Sequence, residues 1–343
     1  MKRIICAALT AALLLTGCAK VPTAQNKRYQ ATFLTLFDTV TTIVGMAESE
    51  EAFTAAAQSV HDELLVYHQL FDVYHDYEGL NNLKTVNDAA GTAPVTVDRK
   101  IIDLLLACKQ YYEATNGRVN VAMGSVLKLW HEARNDGIDD PVNAYLPDET
   151  ALQEAANHTS LDNVILDEAA STVFISDPLV RLDVGAVAKG WAVEQVARNA
   201  PSGLLISVGG NVCATGAKDE NGTPWIVGIQ DPDNAEEYLH SIYVYEDLCS
   251  VVTSGDYQRA YAVDGKVYHH IIDPDTLYPS AYWRSVTIVC ADSGASDALS
   301  TALFLLPLEE GRALLSQFDA EALWVDADGR IFTSDGFEKL IRT

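Results

Sequence analysis

The sequence is short of positive charge. Its 23 lysines and arginines stand against 48 aspartates and glutamates, a formal net charge of −25. Nucleic-acid binding needs clustered Lys and Arg to neutralise phosphates, and the chain has no such cluster. The acidity suits a soluble surface outside the cytoplasm. Several glycine and histidine signatures are missing too. There is no G-x-x-x-x-G-K-[ST], no G-x-G-x-x-G, no G-x-S-x-G and no H-E-x-x-H. Those absences set aside P-loop and Rossmann phosphate binding, the nucleophile elbow and zincin chemistry. Cysteine is sparse, and after Cys18 only Cys108, Cys213, Cys249 and Cys290 remain, without a C-x-x-C pair or metal-spaced histidines. Cys108 and Cys290 sit in apolar runs as small hydrophobes, while a disulfide among the four stays open. There is no internal repeat and no low-complexity tract.

Long apolar runs are also lacking, except at the start. Ile4 to Leu15 follows the basic Lys2-Arg3 and is too short to span a bilayer comfortably. With Leu15-Thr16-Gly17-Cys18 it resembles the bacterial lipoprotein signal, which implies that residues 1–17 are removed and that Cys18 carries lipid. Residues 18–30 then form a tether able to reach about 40 Å at roughly 3.5 Å per residue. Residues 31–343 are expected to form one domain, held by lipid at the outer face of the cytoplasmic membrane.

Within that domain helices and strands mix without a strict βαβ alternation. Helices are expected over Glu50–Leu70, Asp98–Thr115, Met123–Ala133, from Pro147-Asp148-Glu149, over Ala186–Asn199 and over Asp297–Leu306. Strands are expected over Phe33–Val44, Val164–Leu166, Val173–Ile175, Val180–Val184, Leu204–Val208, Trp225–Ile229, Ile242–Tyr245 and Ser285–Cys290. A final pair flanks Asp328-Gly329. Asp72 to Asn87 reads as a contact-bearing loop. The fold class is α+β, with a large, mainly antiparallel sheet flanked by helices.

Three stretches carry candidate chemistry. Gln258–Val263 and Lys266–Ile272 form a hairpin about Asp264-Gly265, since both turn residues tolerate positive φ. Alternation sends Tyr268, His270 and Ile272 to one face and His269 and Ile271 to the other, so one histidine can reach a site while its neighbour packs. Ordinary surface or core histidines remain the alternative. Downstream, Ser296 is a plausible helix N-cap, and Asp297 and Thr301 lie four apart on one helical face. A carboxylate beside a hydroxyl suits Mg²⁺, unless Asp297 is only a first-turn acid. Leu182–Trp191 passes from strand to helix through small residues, a junction whose N–H groups can hold an anion with Lys189 in reach. Tight packing explains the same residues. Val208-Gly209-Gly210-Asn211 permits close backbone approach or a plain turn. Ser254 lacks the surroundings of a nucleophile.

Leu182–Gly190, Val208–Asn211, Thr253–Tyr257, His270-Ile-Ile-Asp-Pro-x-Thr-x-Tyr-Pro279 and Asp297-Ala-Leu-Ser-Thr301, in this order and spacing, resemble the ApbE family of FAD:protein FMN transferases. The resemblance runs from about Phe33 to the C-terminus. It implies Mg²⁺-dependent cleavage of FAD, transfer of FMN through a phosphoester to a threonine of an acceptor flavoprotein, and release of AMP. The acceptors it implies are redox-pump subunits or extracellular electron-transfer flavoproteins. It also implies metal ligation by Asp297, Thr301 and the Ala186 carbonyl. Flavin-nucleotide contacts are implied at Phe37, Tyr74, Arg118, Val119, Asn120, Asp183, Lys189 and Ile272. Phe37-Asp38-Thr39 stands where the family commonly has Met-Gly-Thr, and Ser300 where some members have a second acid. Phosphoryl transfer of this kind needs positioning and charge neutralisation more than an enzyme nucleophile. His270, with an imidazole of ordinary pKa, is the expected base for the acceptor hydroxyl, with Asp273 as helper or turn residue. A non-catalytic FAD-binding lipoprotein and an FAD pyrophosphatase are the competing readings.

Overall fold

The structure is a computed structural model that describes residues 26–244 and 249–343. The signal segment, Cys18, the tether up to Gln25 and Tyr245 lie outside the described residues. In chain order the first half holds β1 (Lys27–Leu36), β2 (Thr39–Ala47), α1 (Glu50–Phe71), α2 (Leu83–Asp88), β3 (Val95–Thr96), α3 (Arg99–Ala114), α4 (Gly124–Asp139), α5 (Glu149–Ala156), β4 (Val164–Asp167) and β5 (Thr172–Ile175). Next come α6 (Ala188–Asn199), β6 (Leu204–Val208), β7 (Asn211–Ala214), β8 (Trp225–Gln230), β9 (Tyr238–Val244) and β10 (Cys249–Gly255). The chain closes with β11 (Tyr261–Val263), β12 (Lys266–Tyr268), β13 (Ser285–Cys290), α7 (Ser293–Phe304), α8 (Leu308–Leu315), β14 (Ala320–Val325) and β15 (Ile331–Thr333).

Eight strands form one antiparallel sheet in the order β1-β2-β6-β7-β10-β13-β14-β15. Both faces of this sheet are covered, and strand alternation divides the two cores. Ile43, Ile206, Ile288 and Trp324 pack with helices α1, α3, α6 and α7 on one side. Val44, Ala214, Val289 and Leu323 pack with the β8–β9 hairpin and Phe337 on the other. Burial on both faces accounts for the nearly unbroken apolar runs of β6 and β13. A third cluster joins α4, α5 and the β11–β12 hairpin through Met123, Val126, Trp130 and Tyr261. Among the described residues no helix is long and apolar enough to cross a membrane.

Several elements depart from the sequence expectation. The strand expected at Phe33–Val44 is a hairpin, with Phe37 and Asp38 both at φ +52. No Gly or Asn marks that turn. The Phe37 N–H donates to His68 Nδ1 at 3.2 Å and the two rings meet edge-on at 5.5 Å, contacts that hold an unfavourable conformation. β1 also starts at Lys27, inside the expected tether. Part of the expected 72–87 loop is α2, opened by an Asn82–Thr85 capping box. Val180–Val184 is not a strand but carries a single bridge from Arg181 to Met123. The α7 cap is Asp292, which accepts from the Ala295 N–H, rather than Ser296. β7, β10 and α8 were not foreseen, and Cys108, Cys213 and Cys290 are free thiols.

Candidate active site

Where the helix-backed sheet meets the α4–α5 cluster there is a cavity of about 440 Å³, within the range of small-molecule sites. Phe37, Tyr74, Arg118, Val119, Asn120, Asp183, Ala186, Lys189, His270, Ile272, Asp297 and Thr301 all line it. Asp273 does not. Its Oδ1 accepts the N–H groups of Asp275 and Thr276 at 2.7 and 3.4 Å and an Arg118 N–H at 3.4 Å. A carboxylate so occupied shapes a turn and holds Arg118, which favours the turn residue over the catalytic helper.

The floor is the α6–α7 contact. At Gly190 an added Cβ would lie 2.2 Å from the Ser293 carbonyl oxygen and 2.5 Å from Asp297 Cβ. Only glycine lets the helices approach so closely. Asp297 Oδ2 then accepts the Gly190 N–H at 2.9 Å and faces Lys189 Nζ at 3.5 Å. The helix terminus expected to hold a phosphate is thus partly occupied by the protein's own carboxylate. Glu194, also on α6 and fully buried, accepts the Ser293 N–H at 2.7 Å and ties down the start of α7. Burial raises its pKa.

Asp297 and Thr301 stand one helical turn apart on α7 and share the cavity with Ala186. One carboxylate, one hydroxyl and one main-chain carbonyl are hard oxygen donors. Among the described residues no cluster of three or more His, Cys, Asp or Glu could hold a metal, which argues against a zinc-type centre. The set fits Mg²⁺, which takes one or two carboxylates and completes its shell with water and substrate phosphate.

His270 lines the same cavity, and its Nδ1 lies 3.2 Å from the Gln258 carbonyl. A carbonyl accepts only, so Nδ1 carries the proton and Nε2 keeps its lone pair. Burial, then the charge of Arg259, pushes the His270 pKa down to about 3. The expected ordinary imidazole is therefore corrected: desolvation and surrounding cations hold the ring neutral. His269 points the other way, its Nε2 2.7 Å from the Ser280 carbonyl and its ring edge-on to Phe304 at 5.4 Å. The alternation holds although β12 ends at Tyr268.

At the mouth Asp72 organises the loop. Burial alone would raise its pKa, but the N–H groups of Tyr74 and His75 and the Tyr77 hydroxyl outweigh that and hold it below the usual range. Tyr74, half exposed, shares a 2.6 Å hydrogen bond with His131 Nδ1 on α4. Val119 is buried in the core, and the Asn120 amide is engaged with the Thr159 carbonyl and the Ala122 N–H at 2.9 Å each. Arg118 is paired to Asp275 at 2.7 Å. Asp183 Oδ1 accepts the Gly185 N–H at 2.9 Å, fixing the turn into α6. Gly209, at φ +56, lies where a Cβ would meet Thr39 Oγ1 at 2.7 Å, so its close approach is to the β1–β2 hairpin. Ser254 shares its hydroxyl with Ser300 at 2.8 Å, a neutral partner that cannot serve as a base. His68, His131 and Arg259 also line the cavity. Sequence reasoning passed over them because they come from elements with no fixed spacing.

The profile of the ApbE family matches residues 37–324. The chain belongs to the ApbE family. Relatives include the FAD:protein FMN transferase of Treponema pallidum, 36% identical over 76% of this chain and 75% of that protein. One from Klebsiella pneumoniae is 33% identical over 80% of this chain and 86% of its own length. The crystal structure of the ApbE protein of Thermotoga maritima superposes with a TM-score of 0.80 at 29% identity, covering 92% of this chain and all of that one. The apo flavinyl transferase ApbE of Pseudomonas stutzeri shares the fold, with a TM-score of 0.74 at 22% identity over 92% of this chain and 97% of its own.

Proposed function

We propose that this ApbE-family chain is an FAD:protein FMN transferase that splits the FAD diphosphate and passes FMN to a threonine of an acceptor flavoprotein. In the balanced step the threonine oxygen bonds to the FMN phosphorus. The phosphorus–oxygen bond to AMP breaks, AMP leaves on that oxygen, and the threonine proton goes to His270 Nε2. The observation that carries this is the meeting of Asp297, Thr301 and Ala186 with His270 in one cavity. Mg²⁺, held by Asp297, Thr301 and the Ala186 carbonyl, would supply charge neutralisation on the diphosphate. Lys189 adds a positive charge beside Asp297, and the fixed Nδ1–H of His270 leaves Nε2 free to accept a proton. Phe37 and Tyr74 offer aromatic faces at the mouth, while Arg118 and Asp183 fix the turns that close the sides.

The acceptor we propose is a redox-pump subunit or an extracellular electron-transfer flavoprotein, met at the outer face of the membrane through lipid on Cys18. The test incubates the purified protein with FAD, Mg²⁺ and a candidate acceptor and weighs the acceptor by intact mass spectrometry. A gain of one FMN, with AMP released, is expected, and Asp297→Ala loses it. Free FMN without labelled acceptor would instead mark a pyrophosphatase. FAD binding without AMP, indifferent to Mg²⁺, would mark a carrier.

A further inference from the structure

Arg259 has so far been given no ligand to hold. It follows β10, lines the same cavity as His270, and sits at φ +47. A left-handed conformation in a long side-chain residue costs about 1 kcal/mol and, once observed at a cavity, points towards function. Its guanidinium reaches across the mouth to the Phe37 carbonyl, a long contact of 3.4 Å. Arg118, which also lines the cavity, and Arg284 are each neutralised by two aspartates. Among the described residues Arg259 has no carboxylate within the 4.0 Å of an ion pair. In a chain of net charge −25, an arginine kept unpaired beside a cavity is a group awaiting an anion. Arg134 adds to the same field: burial, then the charge of Arg259, disfavours its own protonated form.

We infer that Arg259 is the phosphate-contacting arginine of the site, exchanging its Phe37 carbonyl contact for a phosphate of the dinucleotide across from the Asp297–Thr301 pair. This rests on the transfer reading above and adds to it a residue for the reacting diphosphate. A guanidinium suits that place because its planar fork donates two parallel N–H groups and never loses its charge. An acidic segment of the acceptor is the rival anion. Arg259 lines the same cavity as His270, and its chain neighbour Gln258 holds the His270 Nδ1 through its carbonyl at 3.2 Å, which favours the phosphate.

The test measures binding of ADP, FAD and riboflavin to the full protein and to Arg259→Gln and Arg259→Lys, with and without Mg²⁺. Arg259→Gln is expected to weaken ADP and FAD by about 10- to 100-fold, the value of one charge-assisted contact. Riboflavin, which has no phosphate, should bind as before. Arg259→Lys should fall between, and Tm should move by no more than about 2 °C. Unchanged ADP and FAD affinity overturns the assignment, as does equal weakening of riboflavin. A raised KM for acceptor alone overturns it in favour of the acidic segment. Wild-type protein that binds FAD through Arg259 but never labels an acceptor would sink the transfer reading and leave this one standing.

Discussion

The floor and the mouth of the cavity are built by opposite means. At the floor α6 and α7 touch through Gly190, and Asp297 is almost fully buried with one oxygen held by a main-chain N–H. At the mouth, Phe37, Asp38 and Arg259 adopt positive φ, and Tyr74 is half exposed. Helices place a group with little freedom, whereas turns and loops can shift when a ligand arrives. The hard oxygen donors are therefore set in a rigid base, while Arg259 and the aromatic faces stand on parts that can adjust. Changes at the floor should damage fold and chemistry together, and changes at the mouth should separate them.

Gly190→Ala tests this most severely. Its new Cβ would press on main chain at Ser293, not on a side chain that can swing away. Forced separation of the helices should cost more than about 2 kcal/mol of stability and displace Asp297. Misplacement by about 1 Å can cost on the order of 100-fold in rate. Lower Tm together with at least that loss of labelling is expected. A stable, active Gly190→Ala protein would show that the floor is not rigid.

His270 stands between the two regions and gives the next largest effect. Removing a positioned base should lower labelling by about 10²- to 10⁴-fold, and His270→Ala checks that directly. The pH dependence sharpens it. In the folded protein His270 is pushed down to about 3 from the ordinary value near 6.5. Below 6.5 the unfolded chain takes up the proton that the folded ring refuses. The stability contributed by its neutral burial is present above 6.5 and lost as pH falls towards 3. The acid limb of kcat/KM, which reports the free enzyme, should likewise fall well below pH 6. A limb centred near 6.5 would mean that burial and Arg259 do not control the ring.

Much of the floor was legible in the sequence because its parts repeat at known spacings. Asp297 and Thr301 needed only the helical period, and His269 and His270 only the alternation of extended chain. The mouth was hardly legible. The Phe37-Asp38 turn has no glycine or asparagine to announce it, and its conformation is held by His68, some thirty positions away on α1. His131 on α4 meets Tyr74 from the Asp72 loop only after the α4–α5 cluster has docked. Gly190 shows the limit from the other side. Its place in a small-residue junction was visible, but not that the anion at the helix start is the protein's own Asp297. Asp273 read equally as a helper or a turn residue, and only the fold shows its oxygen filling its own turn.

The smallest effect belongs to the mouth and is the finest test of its independence. Tyr74→Phe keeps the ring and removes only the hydroxyl that meets His131 at 2.6 Å. One neutral hydrogen bond is worth about 0.5–1.5 kcal/mol net, so FAD affinity should weaken by roughly 2- to 10-fold. Stability should stay within about 0.5 kcal/mol, because the residue is half exposed and lies outside the packed core. The expected outcome is a small rise in KM for FAD with kcat unchanged, read by labelling rate against FAD concentration. If kcat fell as far as in His270→Ala, the Tyr74–His131 bridge would have to position the reacting groups. The mouth would then share the rigidity assigned here to the floor alone.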